Sequence, residues 1–501
     1  VLRARRNQSA SPPLEGSDSN RRRHIDMNND PRPSSGLRHS LKQRHMTMIA
    51  LGGVIGAGLF VGSGVVIKAA GPAAVISFAI TGLLVVLVMR MLGEMAVALP
   101  TVGSFYEYSR LAWSDRPRLG ELAGFVTGWM YWYFWVIVVA LEAVAGAGLI
   151  RFWFPGAPSW AISLSMMLLL TVTNLISVRS YGEFEFWFAS IKVAAIVVFL
   201  MAAGAYVLGL WPGVAPSVAN LWARGGFAPN GVLPVLTGAV AATGFYFGAE
   251  IVTIAAAEAA EPAKAVADAT NWVITRALFF YVGSIFLVVC LVPWNSAGIS
   301  APYVSALTAM GVPAAAQIMN AVVLTAVLSA LNSGLYASSR MLFALTRRGD
   351  APQGLAKLSR NGVPSRAILL GTVFGYGAVI MSYISPDTVF AFLVNSYGTV
   401  AIFVYVLIAV SQLRLRARLE REDPARLRMR MWAYPYLTYL AIAGMLGIVL
   451  AMAFIPEQRT PLIFGVISLG ILLAGFRARV RFGRKPAIAA LAVEARQYEE
   501  L

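Results

Sequence analysis

Three ionisable side chains, Glu142, Lys192 and Glu250, stand inside apolar stretches of roughly twenty residues, long enough to cross a bilayer as helix. A charge at membrane depth is costly to keep there and usually serves a function. Lys192 lies about eight residues in from one end of its stretch. Two uses fit it: snorkelling of the ammonium to the interface, or exchange of a proton during transport. Glu142 and Glu250 are acidic partners for a cation, a substrate amine or Lys192, and spacing alone does not assign the pairs. Glu94 and Glu258 fall near the ends of their stretches, within reach of water. Ser329, Asn332, Ser333, Tyr336 and Arg340 share one helical face; such a face lines a cavity or holds helices together, and Ser329, Asn332 and Ser333 are expected to line a cavity.

Glycine supplies the second signal. The first apolar stretch contains Gly52-Gly53-Val54-Ile55-Gly56-Ala57-Gly58, and the sixth contains Thr243-Gly244-Phe245-Tyr246-Phe247-Gly248. Both runs lie about ten residues in, which at ~1.5 Å per residue is close to the bilayer midplane. Glycine tolerates an interruption of the helix. The half-helix beyond the break then presents free N–H groups and a dipole suited to a carboxylate. Small-residue packing is the competing explanation, because Gly52/Gly56 and Gly58/Gly62 have that spacing. Two such breaks, in spans crossing in opposite directions, point to a transporter site between inverted repeats.

These residues need a membrane fold to position them, and the composition provides for one. Of 501 residues, 58% are hydrophobic and 13% charged, and the mean hydropathy is +0.68. Too little polar surface remains for a soluble enzyme or a coiled coil. Twelve apolar spans are expected, near 46–70, 72–97, 122–150, 160–178, 184–210, 233–257, 271–294, 316–345, 364–384, 388–413, 434–455 and 459–479. Placing the N-terminus in the cytoplasm puts 36 of the 41 Lys and Arg on that side and leaves four, Lys68, Arg151, Arg224 and Arg459, outside. That asymmetry predicts two cytoplasmic termini. It also makes the net charge of +17 topological, with no nucleic-acid partner implied. Residues 1–45 read as a disordered basic cytoplasmic tail without a signal-peptide pattern, and 480–501 as a C-terminal tail.

The single cysteine, Cys290, excludes an internal disulfide. The three histidines precede the first span, so neither a transmembrane metal site nor a histidine proton relay is expected, and no cofactor is expected either. No phosphate-binding Gly-x-x-x-x-Gly-Lys-Ser/Thr loop points to ATP as energy source, and no hydrolase motif points to an enzyme.

Several segments are similar to amino acid permeases of the amino acid–polyamine–organocation superfamily. They are LKQRHMTM from Leu41, MRMLGEMAVALP from Met89, YGEFEFWFASIKVAAIV from Tyr181 and SALNSGLYASSRMLFALTRRGDAP from Ser329. FGAEIVTIAAAE from Phe247 and RLRMRMWAYP from Arg426 resemble the bacterial γ-aminobutyrate (GABA) permeases more than their aromatic, lysine or proline relatives. The resemblance runs from about Leu37 past Trp432.

It implies an all-α polytopic fold of twelve transmembrane helices, with broken helices 1 and 6. The repeats would cover about 46–210 and 233–413, and two further helices about 434–479. The break at Ile55, Gly56, Ala57 and Gly58 would take the substrate carboxylate. The break at Thr243, Gly244, Phe245 and Tyr246 would supply carbonyls for the amine and an aromatic gate. Lys192 matches a lysine that stands in place of a sodium ion in proton-coupled relatives. One departure concerns the gate: where the family shows Phe-x-Phe-x-Gly-x-Glu, this chain reads Gly244-Phe245-Tyr246-Phe247-Gly248-Ala249-Glu250.

The expected activity is import of a zwitterionic amino acid, GABA foremost, by proton symport across a bacterial inner membrane. Expected partners are the amino acid, protons and the lipid bilayer. Competing expectations are a permease for proline, β-alanine, an aromatic or a basic amino acid, an exchanger, and a permease-like sensor signalling through its tails. Oligomeric state is left open.

Overall fold

The computed structural model of the chain describes residues 40–482, except 57, 102, 260, 271–273, 386–387, 390–391, 394–395 and 397–398. The described residues form helices: α1 (Gln43–Val54), α2 (Ser63–Ala70), α3 (Ala74–Ala98), α4 (Phe105–Leu111), α5 (Pro117–Arg151) and α6 (Ser159–Ile176). Next come α7 (Val178–Val207), α8 (Val232–Ala242), α9 (Ile251–Ala255), α10 (Pro262–Asp268), α11 (Ile274–Leu291) and α12 (Pro302–Ala309). The last five are α13 (Ala315–Arg347), α14 (Ser365–Ile384), α15 (Val400–Glu422), α16 (Tyr436–Phe454) and α17 (Pro456–Phe482). Among the described residues there is no strand, only a parallel bridge between Leu41 and Ala259. Helix α1 opens at Gln43 with His45 buried, so the last residues of the stretch expected to be tail belong to the fold.

Nine helical stretches among the described residues are long and apolar enough to cross a bilayer, Gln43–Ala98 being one of them. That run holds the first two expected spans. The sixth and seventh correspond to the shorter apolar helices Val232–Phe245 and Thr275–Leu291. The tenth, 388–413, includes positions outside the described residues before it joins α15. The difference from twelve has a physical source at the sixth span, whose break divides it below the length of a continuous crossing helix.

Burial separates two kinds of helix. Helices α5 and α13 pack along one another, α1 lies against α7, and α3 against α8 and α11. In contrast, α6, α14, α16 and α17 expose Leu169, Ile380, Leu446 and Ile471, each more than half accessible. Such a belt of large apolar side chains suits hydrocarbon as solvent and not water. Hydroxyls join the inner helices: Ser77 and Thr81 of α3 donate to the carbonyls of Val235 and Ala239 on α8, at 2.7 and 2.8 Å.

Ionic groups fasten one end of the bundle. Glu94 accepts from Gln412 Nε2 at 2.8 Å and from Arg416 and the Met431 N–H at 2.5 Å. Glu258 pairs with Arg340 at 3.3 Å and with the Tyr336 hydroxyl. Both carboxylates were expected to reach water, yet they are 2% and 0% exposed, and their partners come from helices distant in sequence. Arg348 pairs with Glu107 at 2.8 Å, while Asp350 is met by Tyr106, Arg110 and Arg479. Burial pushes the Asp350 carboxyl above its ordinary range in spite of those donors.

Candidate functional site

Helix α1 stops at Val54, where Ile55 leaves helical geometry with ψ 89°, and a single wide turn over Gly58–Gly62 precedes α2. The opposing stretch stops as α8, passes through a tight turn over Thr243–Phe245, and resumes as α9 at Ile251. The two interruptions touch. A Cβ added to Gly53 would run into the Gly248 carbonyl oxygen, and one added to Gly248 would run into that of Gly53. Gly248 also holds φ at +112°, a conformation suited to glycine. Each break frees carbonyls. The Tyr281 hydroxyl of α11 lies 2.7 Å from both Val54 O and Phe245 O, so one donor bridges the two breaks. Sequence reasoning passed over Tyr281, because nothing local marks one tyrosine in an apolar helix as the partner of two distant carbonyls.

Lys192 is fully buried beside the first break and does not snorkel. Its Nζ donates to Gly52 O at 2.6 Å and to Ser329 Oγ at 2.8 Å. Ser329 in turn donates to Glu185 Oε1 at 2.5 Å, and Asn332 reaches Glu185 Oε2 at 3.4 Å. Asn174 extends the chain to Asn332 Oδ1 at 2.9 Å. Glu185 is wholly buried and was not among the three expected buried charges. Its signal was present: it precedes Lys192 by seven residues, two helical turns on the same face. A Cβ on Gly52 would lie 2.6 Å from Glu185 Oε1 and 2.7 Å from Ala189 Cβ, so this glycine admits the carboxylate and the close approach of α7.

A cavity of about 610 Å³ opens beside the breaks. Of the expected site residues it is lined by Gly58, Thr243, Gly244, Phe245 and Glu142. Ile55 and Gly56 lie at the break but do not line it, and Ala57 falls outside the described residues. The Phe245 ring lies over Gly58 and Gly62, within 2.5 Å of a Cβ at either position. Both explanations of these glycines thus hold in part, a helix break and a seat for a packed ring. Tyr246 is a different kind of residue: 2% exposed, it donates to Phe78 O at 2.8 Å and stacks on Tyr281. Of the two aromatics expected at the gate, Phe245 alone faces the cavity.

Ser329, Asn332 and Ser333, expected to line a cavity, are packed between α13 and α7 and do not line this one. The geometry there is of polar contacts holding helices together, continued by Tyr181 stacked on Tyr336 with ring centroids 4.0 Å apart. Glu250 pairs with no cation among the described residues. Its carboxylate accepts from Tyr131 at 3.1 Å, Tyr405 at 2.7 Å and the Gly248 N–H at 3.0 Å, which ties it to the second break. Among the described residues no cluster of His, Cys, Asp and Glu could hold a metal ion.

The comparisons with known proteins can be set against this geometry. The solved structure of a manganese transporter from Eremococcus coleocola superposes with a TM-score of 0.54, over 87% of this chain and 92% of that one. At 13% identity, it speaks to the fold alone. By sequence, the chain is 53% identical to the gamma-aminobutyric acid permease of Bacillus subtilis, over 88% of its own length and 93% of that protein's. It is 46% identical to the gamma-aminobutyric acid permease of Escherichia coli, over 86% and 92%. A probable GABA permease of Pseudomonas aeruginosa is 48% identical over 85% and 89%. The family model described as amino acid permease matches residues 45–485, from the start of α1 to just past α17. The chain belongs to the amino acid permease family.

Proposed function

We propose that this protein imports a zwitterionic amino acid, with GABA as its substrate, by proton symport and alternating access. The carrying observation is the juxtaposition of two broken helices at Gly53 and Gly248 with Lys192 fastened to the Gly52 carbonyl. Identities of 46–53% to GABA permeases over most of the chain support the choice of substrate.

In this reading the free N–H groups around Gly56 and Gly58 take the carboxylate, and the freed carbonyls near Thr243–Phe245 take the amine. Phe245 closes over the substrate. A charged Lys192 donates to Gly52 O and Ser329 and so ties α1 to α7 and α13; on losing its proton it has fewer donors and a lone pair, and α1 is released. The proton therefore biases the same helix that binds the substrate. The topology in this reading is twelve crossings, two inverted five-helix repeats and two further helices, with both termini on the cytoplasmic side of a bacterial inner membrane.

Uptake by purified protein in liposomes tests it. GABA accumulation should collapse when the pH gradient is dissipated, and unchanged accumulation would refute proton coupling. Lys192→Ala should abolish accumulation while sparing exchange; normal accumulation would remove Lys192 from the role.

A further inference from the structure

Helix α5 places Leu141, Glu142, Ala145 and Leu149 on one face, in the wall of the 610 Å³ cavity. Four lining side chains carry hydrogen-bonding groups: Glu142, Thr243, Glu457 and Gln458. The Thr243 hydroxyl is taken by Ala239 O at 3.0 Å. Glu457 and Gln458 sit in the first turn of α17, Glu457 exposed. Gln458 is uncharged, whereas Glu142 is a half-buried carboxyl group beside the breaks with no hydrogen bond or ion pair to any described residue. Lys192 donates instead to Gly52 O and Ser329 Oγ. A carboxylate left without a donor in a mainly apolar wall is costly, and a cationic ligand would relieve that cost.

We infer that Glu142 joins the freed carbonyls near Thr243–Phe245, in the same cavity wall, in binding the ammonium group of the substrate, and so selects amino acids whose amine lies several carbons from the carboxylate. This rests on the transport reading above and deepens it. The carboxylate end is held at the break that includes Gly58, while Glu142 stands on a separate helix of the same cavity. An α-amino acid, with both charges on adjacent carbons, satisfies one site at a time. A chain of methylenes between the charges satisfies both and lies along the apolar wall of Ala145, Val240 and Val327. The two substrate charges are then met separately, the ammonium by the Glu142 carboxylate and the carboxylate by the N–H groups of the first break.

The test separates the ammonium contact from general damage by changing protein and ligand together. Binding of GABA and of 4-hydroxybutyrate, which has a hydroxyl in place of the amine, is measured by calorimetry on the purified wild type, Glu142→Gln and Glu142→Asp. Glu142→Gln should weaken GABA by about tenfold or more and leave 4-hydroxybutyrate within about twofold, as expected for loss of a charge-assisted contact. Glu142→Asp, which keeps the charge, should recover part of the GABA affinity. Equal losses for both ligands make Glu142 a structural residue and overturn the inference. So does unchanged GABA affinity in Glu142→Gln, including a variant that binds normally but no longer accumulates substrate. A wild type that binds no GABA refutes the transport reading itself, and the inference with it.

Discussion

At the scale of single residues, the site depends on atoms that are missing as much as on those present. Gly53 and Gly248 approach so closely that neither has room for a methyl group. Gly53→Ala is therefore expected to abolish uptake, and activity within about twofold of wild type would contradict the crossing of the two breaks. Gly62 makes a subtler case, because the obstacle there is a side chain, Phe245. Gly62→Ala alone should impair transport, and pairing it with Phe245→Leu should restore part of it; additive losses would place the ring elsewhere. Tyr281→Phe removes the hydroxyl shared by Val54 O and Phe245 O. It should cost about 1 kcal/mol in thermal stability, with a larger proportional fall in uptake because both breaks lose a donor.

At the scale of elements, buried ion pairs decide how helices meet. Arg416 of α15 is 7% exposed and bound to Glu94 of α3, whereas Arg418, two residues on, is 43% exposed and paired with Glu422 within its own helix. Replacing Arg416 by Leu leaves Glu94 buried without its cation and should cost about 3 kcal/mol, seen as a lowered Tm. Arg418→Leu should change stability by about 0.5 kcal/mol or less. Equal effects would show that the first pair is no more buried than the second. The same logic accounts for what the residue pattern left unresolved. The polar face of α13 was legible as one face from spacing, but whether it meets water or α7 depends on Glu185, Tyr181 and Lys192, which lie on another helix.

At the scale of the molecule, the apolar belt and the charged end describe how the chain sits in a membrane. The family match begins at residue 45, within α1. Deleting residues 1–36 should thus leave the rate of GABA uptake within about twofold in liposomes. A severe loss would make the tail part of the carrier, and a signalling defect with normal uptake would favour a sensor.

The amino-acid pattern by itself determined the membrane environment, the helical class, the two glycine-marked breaks and the family, because each is written in local composition or in contiguous motifs. Lys192 and Glu142 were legible for the same reason: a charge in an apolar run stands out without any partner. Partners were not legible. Glu185 beside the Lys192 network, Tyr281 across both breaks, the withdrawal of Glu250 into two tyrosine hydroxyls and the turning away of Tyr246 were decided by the tertiary structure. These are contacts between helices tens to hundreds of residues apart. A helix face can be read from its period; what stands opposite that face depends on how the bundle closes, and closure is a property of all the helices together.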